Sequence, residues 1–197
     1  MALTKTVQLT NLFPIASVTA GTVVAGTAFQ CFTNFTATFY VSYSPVAVTA
    51  TPTATEWRVE SSEVDGLNLW TPVYSRLTLD IAPNNPDVTT ATAGTNTIIV
   101  SSGTGYDNGV YAFFLNGTIA NSEWGYVIDR TGTTFHILDN LQFAQTGTAN
   151  LWNKGEKITF DLPLNARRRY RFVVNNNRGT NRAMVFKCSH TTLDAVS

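Results

Sequence analysis

Large apolar and small polar residues alternate along much of this chain with a period of two, and helical periodicity is hard to find. The clearest example is residues 35–43, Phe-Thr-Ala-Thr-Phe-Tyr-Val-Ser-Tyr. This alternation is typical of a strand with one buried face. Similar short strands are predicted at 56–60, 77–81, 157–162, 169–174 and 183–188. The pattern therefore predicts an all-β protein.

Several of these segments indicate which side of the strand is buried and where the chain turns. In 56–60, Trp57 and Val59 are predicted to point inward and three charged residues outward. The run 175–181, Asn-Asn-Asn-Arg-Gly-Thr-Asn, predicts a flexible reversal, because Asn and Gly tolerate positive φ. Tyr170 begins a strand at the position where sandwich folds place a tyrosine corner. A plain half-buried tyrosine is an equal alternative.

The central segment, 87–153, has a different texture. It opens with a small-residue stretch at 89–94, which we interpret as a linker, and continues with short strands at 97–100, 110–115, 124–128 and 133–138. Residues 130–133, Arg-Thr-Gly-Thr, predict a tight hairpin. We expect a small inserted β-barrel-like domain at 87–153. The larger β-sandwich domain would then comprise 1–86, with an extended N-terminal segment, plus 154–197. Two consecutive domains, or one elongated sandwich, are the alternatives.

The composition adds a weakly charged surface to this picture. Charged residues make up 13% of the chain, against roughly 25% in an average soluble protein. Thr, Asn and Ser occupy the polar positions instead. A neutral, hydroxyl-rich surface costs little to desolvate, so it suits a protein that is covered by neighbours. An ordinary soluble sandwich with a Thr-rich surface fits the composition equally well.

The charge balance and the apolar runs argue against nucleic acid and membrane partners. Lys plus Arg and Asp plus Glu number 13 each, so no net field favours nucleic acid or anionic lipid. No apolar run approaches the roughly 18–20 residues that span a bilayer, and the first residues do not resemble a signal peptide. Cys31 and Cys188 are expected to be small buried hydrophobes, with a disulfide between them as the alternative.

Residues that could support catalysis are scattered rather than convergent. His136 lies in a strand pattern, and the pair Cys188 and His190 does not have zinc-ligand spacing. Glu56 and Glu60 would stand about 13 Å apart on one strand face. This distance exceeds the roughly 5–9.5 Å that glycoside hydrolysis uses. We therefore predict no catalytic site, no metal and no cofactor.

Two clusters are candidate contact sites. The basic run Arg167, Arg168, Arg169 with Arg171 could clamp acidic groups of a neighbouring subunit. A solvated corner is the simpler interpretation, and nucleic acid binding is a third. Trp70, Trp124 and Trp152 lie near turns and could stack on sugars, with Trp124 and Tyr126 as the glycan contact, or could fill the cores.

Two stretches resemble uncharacterised structural proteins of tailed bacteriophages: 22–29, Thr-Val-Val-Ala-Gly-Thr-Ala-Phe, and 117–125, Gly-Thr-Ile-Ala-Asn-Ser-Glu-Trp-Gly. The resemblance covers about half of the chain and lies in turn motifs, so it transfers no site residue. It implies an immunoglobulin-like or related sandwich carrying a small β insertion. It also implies a role in head decoration, head–tail joining or the tail.

The expected function is that of a virion structural protein, assembled in the host cytoplasm. The leading hypothesis is a capsid decoration or cement protein that binds the major capsid protein, copies of itself, or both. Its neutral β-surfaces and extended N-terminal segment, up to about Val24, would lie across seams between capsid subunits. The alternatives are a tail or fibre receptor- or carbohydrate-binding module, and a tail-tube or head–tail connector component.

Overall fold

A computed structural model describes residues 7–31, 34–48, 55–63, 69–78, 87–103, 108–145, 151–165, 168–176 and 182–194. Within these ranges regular structure consists of strands and one 3₁₀ turn at Ile119–Asn121, which confirms the all-β prediction. In chain order the strands are β1 (Val7–Val18), β2 (Val23–Ala25), β3 (Phe29–Cys31), β4 (Asn34–Val48), β5 (Glu56–Ser62), β6 (Thr71–Leu77), β7 (Val88–Ala91), β8 (Thr97–Val100), β9 (Tyr111–Leu115), β10 (Glu123–Thr131), β11 (Thr134–Ile137), β12 (Leu151–Pro163), β13 (Arg168–Asn175) and β14 (Arg182–Asp194).

The strands form two antiparallel sheets. The larger sheet has the order β1-β14-β4-β12-β9-β10-β11-β8-β7, and the smaller has the order β2-β13-β5-β6. Strand β3 also pairs with β13, and it does so beyond the residues that β2 occupies. The long strands β14 and β4 pair along most of their length. They form the centre of the structure's N- and C-terminal parts.

One hydrophobic core lies between the smaller sheet and the β1-β14-β4-β12 part of the larger one. From the smaller sheet it takes Trp57, Val59 and Phe172, all fully buried. From the larger sheet it takes the inward residues of β4 and β14, which include Phe39, Val41, Tyr43, Phe186 and Cys188. The inward orientation predicted for Trp57 and Val59 is therefore confirmed.

A second, separate hydrophobic cluster lies among strands β7 to β11. Its buried members all fall between residues 88 and 141: Val88, Ala91, Ile98, Val100, Ala112, Phe114, Val127, Phe135, Ile137 and Leu141. Strand β12 connects the two parts, because residues 151–155 pair with β9 and residues 156–163 pair with β4. The proposed division into an 87–153 insert and a surrounding sandwich stays a prediction.

Residues 141–145 form a segment that lies between strand β7 and the start of strand β10. The backbone N–H of Gln145 donates to the Ala91 carbonyl on β7, at 2.9 Å. The side-chain amide of Gln145 donates to the Asn121 carbonyl and to Glu123 Oε1, at 2.8 and 2.9 Å. This segment therefore connects strand β7 to the start of β10.

Two sequence predictions concerning the reversals agree with the structure. Strands β10 and β11 meet in a tight hairpin, in which Gly132 has φ of 61° and Thr131 pairs with Thr134. The hydroxyl of Tyr170 accepts a hydrogen bond from the backbone N–H of Asn165, at 2.8 Å. Tyr170 is also buried, and its hydroxyl makes the kind of backbone hydrogen bond that a tyrosine corner has.

Four sequence predictions of local structure need correction. The N-terminal segment is not an unpaired extension over residues 7–18, since β1 pairs with β14 of the same chain. The strand predicted at 77–81 does not include Thr78, because β6 ends at Leu77; residues 79–81 lie outside the described ranges. The linker at 89–94 contains most of strand β7. The first residues of the 175–181 reversal are ordered: Asn175 ends β13 and Asn176 is buried.

Candidate functional site

Four aromatic residues form a row on the outer face of the β9–β10 pair. Gly125 faces the second hydrophobic cluster, where an added Cβ would approach Phe114 and Ile137 to 2.9–3.0 Å. Side chains alternate along a strand, so Trp124 and Tyr126 point to the opposite face. There Trp124 packs against Phe113 with ring centroids 4.5 Å apart, and Tyr126 packs against Tyr111 at 5.0 Å.

Trp124 also contacts the point where strand β12 passes from one part of the molecule to the other. A Cβ added to Gly155 would lie 2.2 Å from Trp124 Cζ3 and 3.2 Å from the Tyr43 carbonyl oxygen. Only a glycine leaves room for the indole to lie directly on the β12 backbone. The β9–β10 aromatic row therefore packs against strand β12 at Gly155.

A groove opens beside this contact, over the outer face of strands β14, β4 and β12. Its volume is about 310 Å³, and Trp124 and Tyr111 form the side contributed by β9 and β10. The sheet contributes polar residues in two cross-strand rows, Lys187–Ser42–Lys157 and Ser189–Tyr40–Thr159. A second cavity of about 610 Å³ adjoins it and shares Trp124, Lys157 and Lys187.

Two lysines give the groove its charge. The Lys157 ammonium lies 4.9 Å from the centroid of the Tyr111 ring, at cation–π distance. Lys157 as a whole residue is exposed, but burial around its ammonium group lowers its pKa, as does the charge of Lys187. Asp139 partly offsets this effect. Neither lysine has an ion pair with a carboxylate of the described residues.

The two residues predicted as a glycan contact, Trp124 and Tyr126, have different positions relative to the groove. Trp124 lines the groove, whereas Tyr126 packs behind Tyr111 and is not among the lining residues. Tyr111, Lys157 and Lys187 were not singled out from the sequence. They come from three strands that are distant in sequence. Only the sheet order β14-β4-β12-β9 brings them together.

The arginine cluster lies on the outer face of the smaller sheet and has partners in its own chain. Glu60 is covered by Arg171 and Arg58: Arg171 Nη2 lies 2.8 Å from Glu60 Oε2, and Arg58 Nε lies 2.6 Å from Oε1. The Glu60 side chain is only 4% exposed for this reason. Arg171 also lies over the Trp70 ring, at 4.2 Å from its centroid.

The remaining arginines of the run have different surroundings. Arg168 forms an ion pair with Glu63, and Arg169 lies 5.6 Å from the Trp70 ring centroid. Arg167 and the Trp152 side chain lie outside the described part of the structure. An inter-subunit contact through these arginines stays a prediction. A carboxylate of another subunit would have to compete with Glu60 for Arg171 and with Glu63 for Arg168.

Two buried amides that the sequence did not indicate stabilise the loops. The Asn176 amide donates to the Val18 carbonyl and accepts from the Thr55 hydroxyl, both at 2.8 Å. Gln145 connects strand β7 to β10 as described above and is fully buried. A buried polar group needs such partners, since each unmade hydrogen bond costs about 1–3 kcal/mol. Both residues are polar and lie outside the predicted strands, so nothing in the local pattern indicates their burial.

His190 and the two cysteines belong to the core. The His190 ring stacks on Phe29 with centroids 4.1 Å apart and is 2% exposed. Burial lowers its pKa to about 4, and a backbone hydrogen bond with Thr10 partly offsets this effect. Cys31 and Cys188 are fully buried and not joined by a disulfide, and burial raises the pKa of the Cys188 thiol. Their predicted role as small buried hydrophobes is confirmed.

The described residues contain neither a cluster of metal ligands nor a membrane-spanning helix. No group of three or more His, Cys, Asp and Glu side chains there could hold a metal ion. No helix in the same ranges has the length and apolarity to cross a membrane.

Comparison with other proteins adds no relative. No protein-family model, no curated protein and no solved structure matches this chain.

Proposed function

We propose that this chain is a virion structural protein that decorates a tailed-phage head, binding the major capsid protein without covalent linkage. The observation that carries the proposal is the outer face of the β1-β14-β4-β12 sheet. Successive cross-strand rows on this face contain Ser189–Tyr40–Thr159 and Thr191–Thr38–Asp161. In these two rows Asp161 is the single charge, and its carboxylate accepts a hydrogen bond from Thr38 at 2.5 Å. The next row on the same face, Lys187–Ser42–Lys157, carries two ammonium groups.

This face has the properties of a surface that another subunit can cover. Hydroxyl groups can exchange water for partner groups at low cost, whereas charged groups lose strong hydration. Tyr40 is 42% exposed and Leu9, on the edge strand β1, is 67% exposed. Tyrosine is enriched in protein interfaces. These features favour adhesion between subunits over catalysis.

We further infer that the larger part is an immunoglobulin-like sandwich and the 87–153 part a barrel-like insertion. The shared core of the two sheets and the Tyr170 contact with Asn165 support the first statement. The separate cluster at 88–141 and the bridging segment 141–145 support the second.

A reconstitution experiment tests the assembly role. Capsids produced without this protein are mixed with purified wild type or with a Thr38→Lys/Thr191→Lys variant. Two ammonium groups introduced in the Thr191–Thr38–Asp161 row, which has none, should abolish co-sedimentation with capsids. A Thr71→Lys variant on strand β6 adds a charge to the other sheet and should bind like wild type. Wild-type protein that fails to bind such capsids would exclude a decoration role.

The second candidate is a carbohydrate-binding module, and the groove beside Trp124 favours it. The groove combines three aromatic side chains, several hydroxyl groups and two ammonium groups in a volume suited to a small ligand. A glycan array with reproducible hits that are lost in Trp124→Ala would favour this function over decoration. Ring-shaped oligomers of the isolated protein in electron micrographs would instead favour the third alternative, a tail-tube or connector component.

A further inference from the structure

The groove beside Trp124 is built around two lysines that face each other across one strand. Lys157 on β12 and Lys187 on β14 both pair with Ser42 of β4, one from each side. The two outer strands are therefore about 10 Å apart at this row. Ser42 has a short side chain, so both long lysine side chains can reach over it. An acceptor placed above Ser42 can contact both ammonium groups.

Asp139 offsets the positive charge of this pair only in part, and neither lysine forms an ion pair within the described part of the protein. By contrast, Arg58, Arg76, Arg168 and Arg171 all have carboxylate partners. Asp139 influences Lys157 only through space, without an ion pair. The repulsion between Lys157 and Lys187 therefore persists in the unliganded protein. An anion would relieve it.

The remaining lining residues select among anions. Tyr111 and Trp124 supply aromatic surface, and Ser42, Thr159 and Ser189 supply hydroxyl groups. Aromatic faces with nearby hydroxyl and charged groups suit a sugar ring, which has apolar C–H faces and a polar rim. The floor of the groove consists of side chains on a sheet face and presents no free strand edge. Extended peptides bind by adding to such an edge, so this groove does not favour them.

The adjoining cavity indicates that the ligand can extend beyond one unit. It shares Trp124, Lys157 and Lys187 with the groove, and beyond them it is lined by the carboxylates Glu123 and Asp139. The two lysines thus lie between both cavities. These carboxylates disfavour a second acidic unit in that cavity, so the acidic unit of the ligand lies in the groove, at the lysines.

We propose that this groove binds an acidic saccharide, with the carboxylate of a uronic acid unit between Lys157 and Lys187 and its ring beside Trp124 and Tyr111. The inference rests on the second candidate function above and names its ligand class. The carboxylate accepts charge-assisted hydrogen bonds from both ammonium groups. The aromatic side chains orient the ring, and the lysines distinguish acidic from neutral sugars.

Calorimetric titration with trigalacturonate, and with neutral maltotriose for comparison, tests the proposal. Wild type should bind trigalacturonate at least about tenfold more tightly than maltotriose, because hydrogen bonds to charged groups are worth more than neutral ones. Lys157→Gln and Lys187→Gln should each weaken trigalacturonate binding by about tenfold or more. Arg130→Gln removes a positive charge from the exposed β10–β11 hairpin and should leave the affinity unchanged.

The outcomes separate this proposal from the one on which it rests. Equal binding of maltotriose and trigalacturonate, both lost in Trp124→Ala, would overturn the acidic specificity and leave carbohydrate binding intact. Absence of binding by both sugars would overturn both. Binding of an acidic peptide such as tetraglutamate, with the same lysine dependence and no sugar binding, would show that the site takes a protein carboxylate and would also overturn the proposal.

Discussion

At the scale of single residues, the structure depends on buried polar groups that look like ordinary turn residues in the sequence. Asn176 follows the end of β13 and is fully buried. Its side chain connects the end of β1, at Val18, to Thr55 just before β5. Its backbone also exchanges hydrogen bonds with Gly21 and Thr22. One residue thus joins three segments that are distant in the chain.

Replacing Asn176 with alanine is expected to lower the free energy of unfolding by about 2–4 kcal/mol. The substitution leaves the Val18 carbonyl and the Thr55 hydroxyl buried without this partner. Urea denaturation followed by fluorescence measures the effect. Asn175→Ala is the matched control, because Asn175 is the neighbouring residue of the same type and is partly exposed, whereas Asn176 is buried. Equal losses in both variants would contradict the role assigned to Asn176.

His190 is expected to make the protein less stable in mild acid. In the unfolded chain its pKa is near 6.5, whereas burial lowers the folded value to about 4. Between these values the unfolded chain takes up a proton that the folded protein does not. The free energy of unfolding therefore falls as pH decreases from about 6.5 to 4, by roughly 3 kcal/mol at most.

Urea midpoints measured between pH 7.5 and pH 4.5 test this pH dependence. His190→Leu should flatten the curve in this window, since the titrating group is gone. His136→Gln is the matched histidine substitution and should keep the dependence, because His190 is still present. A His190→Leu curve as steep as that of wild type would assign the acid sensitivity to other groups.

At the scale of elements, β12 is the strand that joins the two parts of the molecule. Its first five residues pair with β9 and the following eight with β4. At the changeover, Gly155 supports Trp124 and Glu156 accepts hydrogen bonds from Arg76 and Tyr43. Arg76 belongs to the smaller sheet, so this short stretch contacts both sheets and the β9–β10 pair.

Gly155→Ala is expected to displace the Trp124 indole. The new methyl group would lie 2.2 Å from Cζ3, and overpacking of this kind typically costs about 1–3 kcal/mol. The shift should appear as a changed Trp emission spectrum of the folded protein and a lower urea midpoint. Gly94→Ala is a useful comparison for the spectrum, because no atom lies within 4 Å of its added Cβ, although its φ of 80° adds backbone strain. An unchanged spectrum in Gly155→Ala would mean that Trp124 does not lie on β12.

At the scale of the whole molecule, two hydrophobic clusters are connected through one long strand. One cluster contains Phe172 and the other Phe135, both fully buried. A cluster with its own residues can open without disturbing the other, provided that β12 stays paired with β4. The two-part division proposed from the sequence therefore predicts separate local stabilities for the two clusters, which can be measured.

Paired truncations of these phenylalanines test the division. Phe135→Ala should raise amide exchange in β7, β8, β10 and β11, with little change in β5 and β13. Phe172→Ala should have its effect in β5 and β13. Each truncation of a buried phenylalanine costs about 3–5 kcal/mol. Exchange that rises uniformly throughout the chain in both variants would show a single cooperative unit and contradict the division.

Period-two alternation was enough to predict the strands whose one face is buried, such as β4, β5 and β13. It failed where that signal is absent. Strand β1 includes Pro14 and two register irregularities, so its pattern does not alternate regularly. Strand β7 is short and Thr-rich, and it was interpreted as a linker. Such segments become strands because they form backbone hydrogen bonds with the free edges of β14 and β8. Those edges exist only in the assembled sheet.

The sequence by itself determined the all-β class, the inward faces of the clear strands, the β10–β11 hairpin and the burial of both cysteines. These features follow from local alternation, from turn residues and from hydrophobicity. Tertiary structure alone decided the rest. It gathered Tyr111, Trp124, Lys157 and Lys187 around one groove, covered Glu60 with two arginines, and buried Asn176, Gln145 and His190. Each of these depends on contacts between strands far apart in the chain, which no local pattern records.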